Sequence, residues 1–93
     1  MTITFYIPGP LRQYTEGRSQ VEINVSAANV AEALAALWQA YPGLRDRVLT
    51  EQGEVRQHVN IFVAEENIRD HGGLAAVVKN GAVVTIVPAV SGG

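Results

Sequence analysis

Only one stretch of this chain repeats apolar residues at helical spacing: Val30, Leu34, Leu37, Trp38 and Tyr41. That spacing puts them on one face of a helix. Ala31, Ala33, Ala35, Ala36 and Ala40 fill the intervening turns with the residue of highest helix propensity. Asn29 precedes Glu32 by three residues, the spacing of a capping box with Asn in place of Ser or Thr. Ser26 is a rival cap. Pro42-Gly43 stops the helix. A lone amphipathic helix must bury its stripe against something else, and a sheet is the obvious partner.

The flanking sequence supplies that sheet. Residues 2–7 alternate, with Ile3, Phe5 and Ile7 on one side and Thr2, Thr4 and Tyr6 on the other. Pro8-Gly9-Pro10 ends this strand, because neither proline can donate to a ladder. A looser stretch through Thr15-Glu16-Gly17 leads to a second alternation of Val21, Ile23 and Val25, and the two runs read as an antiparallel hairpin. After the helix, Leu44 to Arg56 reads as a charged, solvated excursion with a short apolar pair, Val48-Leu49. His58 to Ala64 is a third strand with Val59, Ile61 and Val63 inward. Glu65-Glu66-Asn67 turns the chain into a short fourth strand beginning at Ile68-Arg69. Leu74, Val77 and Val78 can pack under the helix, and Asn80-Gly81 is a turn signal. Residues 82–90 form a near-continuous apolar run, as expected for a central strand. The order β-β-α-β-β-β predicts an α+β, β-grasp (ubiquitin-like) domain. Its mixed sheet of about five strands packs on one main helix, with the first and last strands side by side. Residues 1–89 are expected to form that domain, and residues 90–93 a flexible diglycine tail.

Composition removes several function classes. The 93 residues make one small domain. There is no cysteine, which excludes disulfides, thiolate metal sites and cysteine nucleophiles. The net charge is −2 and the arginines are scattered, so nucleic-acid binding is disfavoured. No apolar run is long enough for a membrane helix, and the N-terminus lacks the pattern of a signal peptide. A cytoplasmic location with no membrane partner is the expectation.

The chain closes on Ser91-Gly92-Gly93 directly after the last strand. Glycine lacks a Cβ, so such an end can lie extended in a channel too narrow for other residues. It presents a single group, the carboxylate of Gly93. The opening strand Ile3–Ile7, the closing run Val84-Thr85-Ile86-Val87-Pro88-Ala89-Val90-Ser91-Gly92-Gly93 and the overall size together resemble the ubiquitin-like sulfur-carrier family, the ThiS/MoaD group. Val59-Asn60-Ile61-Phe62-Val63, Asn67-Ile68-Arg69 and Gly72-Gly73-Leu74 resemble its CysO-type branch, the carrier of cysteine biosynthesis.

The resemblance implies a protein co-substrate rather than an enzyme. An E1-like adenylyltransferase (MoeB/ThiF type) would use ATP to adenylate Gly93, and a sulfur donor would convert the adenylate to a thiocarboxylate. A sulfur-accepting synthase, such as a cysteine synthase, would then take the sulfur. A metalloprotease that processes the C-terminus is a further implied partner. No tightly bound cofactor is implied. The alternative is a ubiquitin-like modifier joined through Gly93 to lysines of other proteins, and a third reading is a plain interaction module. By strand alternation Tyr6, Phe62, Thr85 and Val87 share the sheet face away from the helix, and together they suggest a partner surface.

Other residues carry less. Trp38 belongs to the helix stripe and reads as core. His58 and His71 lack a ligand-like spacing. Gly72-Gly73 lacks the Lys-Ser/Thr of a phosphate loop and reads as a turn. Glu65-Glu66 read as a solvated turn, and Lys79 is the single lysine.

Overall fold

The computed structural model describes residues 1–88. Five strands form one sheet: β1 (Thr2–Tyr6), β2 (Gln20–Asn24), β3 (Val59–Val63), β4 (Glu66–Asn67) and β5 (Val83–Pro88). Their spatial order is β2-β1-β5-β3-β4. β1 and β2 are the expected antiparallel hairpin, with Ile3 opposite Ile23 and Phe5 opposite Val21. β5 lies in the middle, parallel to β1 and antiparallel to β3. This is the β-grasp arrangement read from the pattern. The apolar run of β5 follows from its position, since it has a strand on each side and Val84 and Ile86 are buried.

Helix α1 (Val30–Ala40) covers one face of this sheet. Asn29 is its cap, with its Oδ1 accepting from the Glu32 backbone N–H at 2.9 Å. The Glu32 carboxylate reaches back to the Ala28 N–H at 2.6 Å, one residue before the cap. The Asn29 oxygen satisfies a donor that the first helical turn leaves unpaired, and the Glu32 carboxylate ties the residue before the cap to that turn. Val30, Ala33, Leu34 and Leu37 are buried against Ile3, Phe5, Ile61, Val84 and Ile86 in one core cluster. Trp38 and Tyr41 pack at its edge and are only partly buried, so Trp38 is a rim residue rather than the core residue expected.

The segment after α1 departs from its sequence reading. Pro42 ends α1 and also opens a second helix, α2 (Pro42–Val48). Its fixed φ and missing N–H suit a first helical turn. Leu44 and Val48 are fully buried and Leu49 is nearly so. The charged excursion is therefore a core element whose charges Arg45, Asp46 and Arg47 line its outer side. Three buried apolar residues spaced four and one apart carry too little periodicity to separate a short helix from a loop.

β4 is only Glu66–Asn67, and Ile68–Asp70 forms a 3-10 turn instead of the strand expected there. Val77 does not pack under the helix and is 68% exposed, while Val78 is buried. Gly9–Tyr14, between β1 and β2, is a 3-10 turn rather than open loop. β5 is assigned through Pro88, and the expected extension to Val90 lies outside the described residues.

Candidate functional site

The sheet face away from α1 is built by strand alternation. Tyr6 on β1 is directly opposite Thr85 on β5, and Thr85 is directly opposite Phe62 on β3. The three therefore form one row across neighbouring strands, which lie about 4.8 Å apart. Val87, two residues beyond Thr85, shares its face and is paired with Asn60. The structure thus brings together the four residues singled out from sequence. Tyr6 and Val87 are 43% and 41% exposed, and Phe62 and Thr85 are half-buried. An aromatic pair flanking a threonine beside an exposed valine is a small apolar platform of the kind partner proteins cover.

At one end of this face, beside the end of β1 and Pro88 of β5, lies an open groove. Tyr6, Thr85, Val87 and Pro88 line it together with Pro8, Pro10 and Arg12. The sequence reading took Pro8-Gly9-Pro10 only as a strand stop and passed over Arg12. The 3-10 turn is what folds these residues back beside β5. Its backbone is well tied: the Arg12 carbonyl accepts from both the Thr15 and Gly17 N–H groups. The buried Thr15 hydroxyl donates to the Arg18 carbonyl at 2.8 Å. Arg12 Nε donates to the Ile7 carbonyl at 3.1 Å, which holds the guanidinium at the groove. A proline pair followed by an arginine just after a strand is the only sequence signal for this wall.

The expected reactive end, Ser91, Gly92 and Gly93, lies outside the described residues, as does the boundary at 89/90. Pro88, the last described residue, sits on the rim of the groove. At the far side of the sheet, Glu66 meets His71 at 3.3 Å, an exposed pair on the short β4 edge. Gly72 and Gly73 both have positive φ (99° and 64°) and form the turn the sequence suggested. Among the described residues no group of three or more His, Asp or Glu side chains converges as a metal site would require, and no helix is long and apolar enough to cross a membrane.

The ThiS family profile matches residues 5–93, from β1 to the final glycine. CysO of Mycobacterium tuberculosis, a sulfur carrier protein, is 36% identical over 95 residues covering 100% of both chains. The structure superposes with a TM-score of 0.87 on the crystal structure of the BexX/CysO complex of Amycolatopsis orientalis, at 35% identity over 98% of this chain and 99% of that one. It superposes with a TM-score of 0.85 on SAMP1 of Haloferax volcanii, at 29% identity over 100% of both chains. With the profile, the full-length relative and the shared β-grasp fold in agreement, this chain belongs to the ThiS family of ubiquitin-like sulfur carriers.

Proposed function

We propose that this protein carries sulfur on the carboxyl group of Gly93 and is not itself a catalyst. One observation carries the reading. The family match spans residues 5 to 93, and the strand leading toward that end is the central one, described through Pro88 beside the Tyr6–Thr85–Phe62 platform. A partner docked on the platform therefore has the outgoing segment at its edge. Five residues beyond Pro88 reach at most ~16–18 Å when extended, enough to cross the wall of a partner's active-site channel. Glycine at the last two positions keeps that channel narrow.

The chemistry belongs to the partners. An E1-like adenylyltransferase binds ATP and the tail. A Gly93 carboxylate oxygen attacks the α-phosphorus, the bond to the β-phosphate breaks, and pyrophosphate leaves. The acyl-adenylate is then attacked at its carbonyl carbon by sulfide-level sulfur (HS⁻ or its equivalent), the carbon–oxygen bond to the adenylate breaks, and AMP departs with the former carboxylate oxygen. The resulting thiocarboxylate is ionised at neutral pH and nucleophilic. A sulfur-accepting synthase, of the cysteine synthase kind by analogy with CysO, consumes it, and a metalloprotease would regenerate Gly93 if an added residue has to be removed. The body supplies shape: a rigid sheet, a docking face through Tyr6, Phe62, Thr85 and Val87, and a slim end made of Ser91, Gly92 and Gly93.

The test is activation by the E1-like enzyme of the same host, followed by pyrophosphate release and by intact mass for oxygen-to-sulfur exchange. Gly93→Ala is expected to abolish both with unchanged thermal unfolding. Adenylation of Gly93→Ala at the wild-type rate sinks the proposal. The likeness to SAMP1 favours a second reading, a modifier joined to lysines through Gly93. Thiol-resistant adducts on other proteins would select it, and a free thiocarboxylate would select the carrier.

A further inference from the structure

On the side of β3 opposite Phe62, a cavity of about 360 Å³ opens between the loop at 50–56 and the two 3-10 turns that follow β4, Ile68–Asp70 and Gly73–Ala75. Its floor is made by Ile61 and Ile68, both core residues, and Val55 and Leu74 extend the apolar surface up its walls. The volume lies at the lower end of the range for small-molecule sites, about 300–1,000 Å³.

Both walls are held by backbone bonds. In the loop, the Thr50 N–H donates to the Glu54 carbonyl at 2.7 Å and the Gly53 N–H to the Thr50 carbonyl at 2.9 Å, and Leu49 and Val55 form an antiparallel bridge. Opposite it, the His71 N–H donates to the Ile68 carbonyl and the Ala76 N–H to the Gly73 carbonyl. The cavity is therefore formed before any ligand arrives, which lowers the ordering cost of binding.

Two opposite charges border it, Glu54 from the loop and Arg69 from the first turn. The ion pairs among the described residues are Arg45–Asp46 and His71–Glu66, so Glu54 and Arg69 pair neither with each other nor with another charge there. Arg69 is nonetheless fixed in place. Its Nη2 donates to the Val59 and Arg56 carbonyls, and its Nε lies 3.4 Å from Asn60 Oδ1. Among the described residues its Nη1 has no acceptor, so a positioned, charged donor is left over at the cavity.

An apolar floor between a carboxylate and a guanidinium matches a molecule that carries an ammonium and a carboxylate around an apolar side chain. A segment within a protein chain lacks both charges on its backbone, so the free molecule is the better match. We propose that this cavity binds a free α-amino acid with a branched apolar side chain. Its carboxylate meets Arg69 Nη1, its ammonium meets Glu54, and its side chain lies on Ile61, Ile68 and Leu74. The cavity is on the other side of the sheet from Tyr6 and Val87, so a partner on that outer face leaves it open.

The experiment titrates the full chain with L-leucine, with isocaproate, which lacks the ammonium, and with isoamylamine, which lacks the carboxylate. Two-dimensional NMR is the readout. L-Leucine is expected to give saturable shifts at Gly53, Val55, Leu74 and the Arg69 Nε–H, with Tyr6 and Val87 unmoved. Each analogue should bind about fivefold more weakly, the equivalent of ~1 kcal/mol for one solvent-exposed ion pair. Glu54→Gln should bring L-leucine to the affinity of isocaproate, with thermal unfolding of the free protein unchanged. Leu74→Ala should weaken all three probes. Absence of saturable shifts from L-leucine overturns the proposal, as do equal affinities for the three probes. A Glu54→Gln variant that keeps the wild-type preference, or shifts centred on Tyr6 and Val87, overturns it too. No activating enzyme enters the experiment, so its result is independent of the carrier reading.

Discussion

Ala64 sits at φ 56°, a left-handed backbone conformation that a residue with a Cβ adopts at a cost. It is there because Val63 and Glu66 pair directly, leaving only Ala64 and Glu65 to reverse the chain from β3 into β4. Its N–H also donates to the Val83 carbonyl, which fixes the turn to the central strand. Ala64→Gly is expected to stabilise the fold by up to about 1 kcal/mol, relief of strain exceeding the extra freedom of the unfolded chain. A higher urea midpoint with unchanged slope checks it. Arg69 does a different job. β4 is too short to cover the start of β3, and Arg69 Nη2 donates to the carbonyls of Val59 at 2.7 Å and Arg56 at 3.1 Å. Its Nε lies 3.4 Å from Asn60 Oδ1. Arg69→Met keeps the stem and removes the donors, and should cost about 2–3 kcal/mol. Arg69→Lys should recover only part of the loss, because an ammonium cannot reproduce the fork. Equal stability of Arg69→Met and wild type in chemical denaturation would refute this role.

Among the elements, α2 separates what a pattern reveals from what it conceals. α1 announces itself through eleven residues, a capping Asn and a proline stop. α2 has seven residues, three of them charged, and a core contribution from Leu44 and Val48 only. Its burial is decided by α1 beside it and by the 3-10 turn near it, where Arg47 stands 5.1 Å over the Tyr14 ring. Leu44→Ala should cost about 2–5 kcal/mol, since Leu44 is fully buried and its loss leaves a cavity. A value under about 0.5 kcal/mol, typical of surface sites, would restore the solvated reading. Thermal unfolding of the variant decides between the two.

The whole molecule divides into a face that holds the fold and a face that stays open to solvent. The inner side of the sheet is packed into the core under α1, with α2 beside that helix. The outer side keeps Tyr6 and Val87 exposed beside the rim at Pro88. Val87→Asp is therefore expected to leave thermal stability within about 0.5 kcal/mol of wild type while weakening partner binding tenfold or more. Calorimetry or surface binding with the E1-like enzyme measures this. Undiminished affinity of Val87→Asp would move the docking surface elsewhere. The same experiment on the inner residue Ile86 would be uninformative, because Ile86 is core and its loss unfolds the site with the domain.

The alternation of Ile3 and Phe5, the stripe of α1 and the apolar run of β5 were enough to order the elements and name the fold, because burial on one face imposes a period of 2 or 3.6 on any sequence that survives it. The role proposed for Gly93 came from the family resemblance of the whole chain, to which the closing glycines added only a local feature, the missing Cβ. What neighbours in space decide could not be read in this way. The helical state of residues 42–48, the exposure of Val77 and the return of Pro10 and Arg12 beside Pro88 each depend on contacts between residues far apart in the chain, which leave no period behind. The groove at the end of the outer face belongs to that second group. Its walls come from β1, from the turn after it and from β5, and only the parallel pairing of the first and last strands sets them side by side.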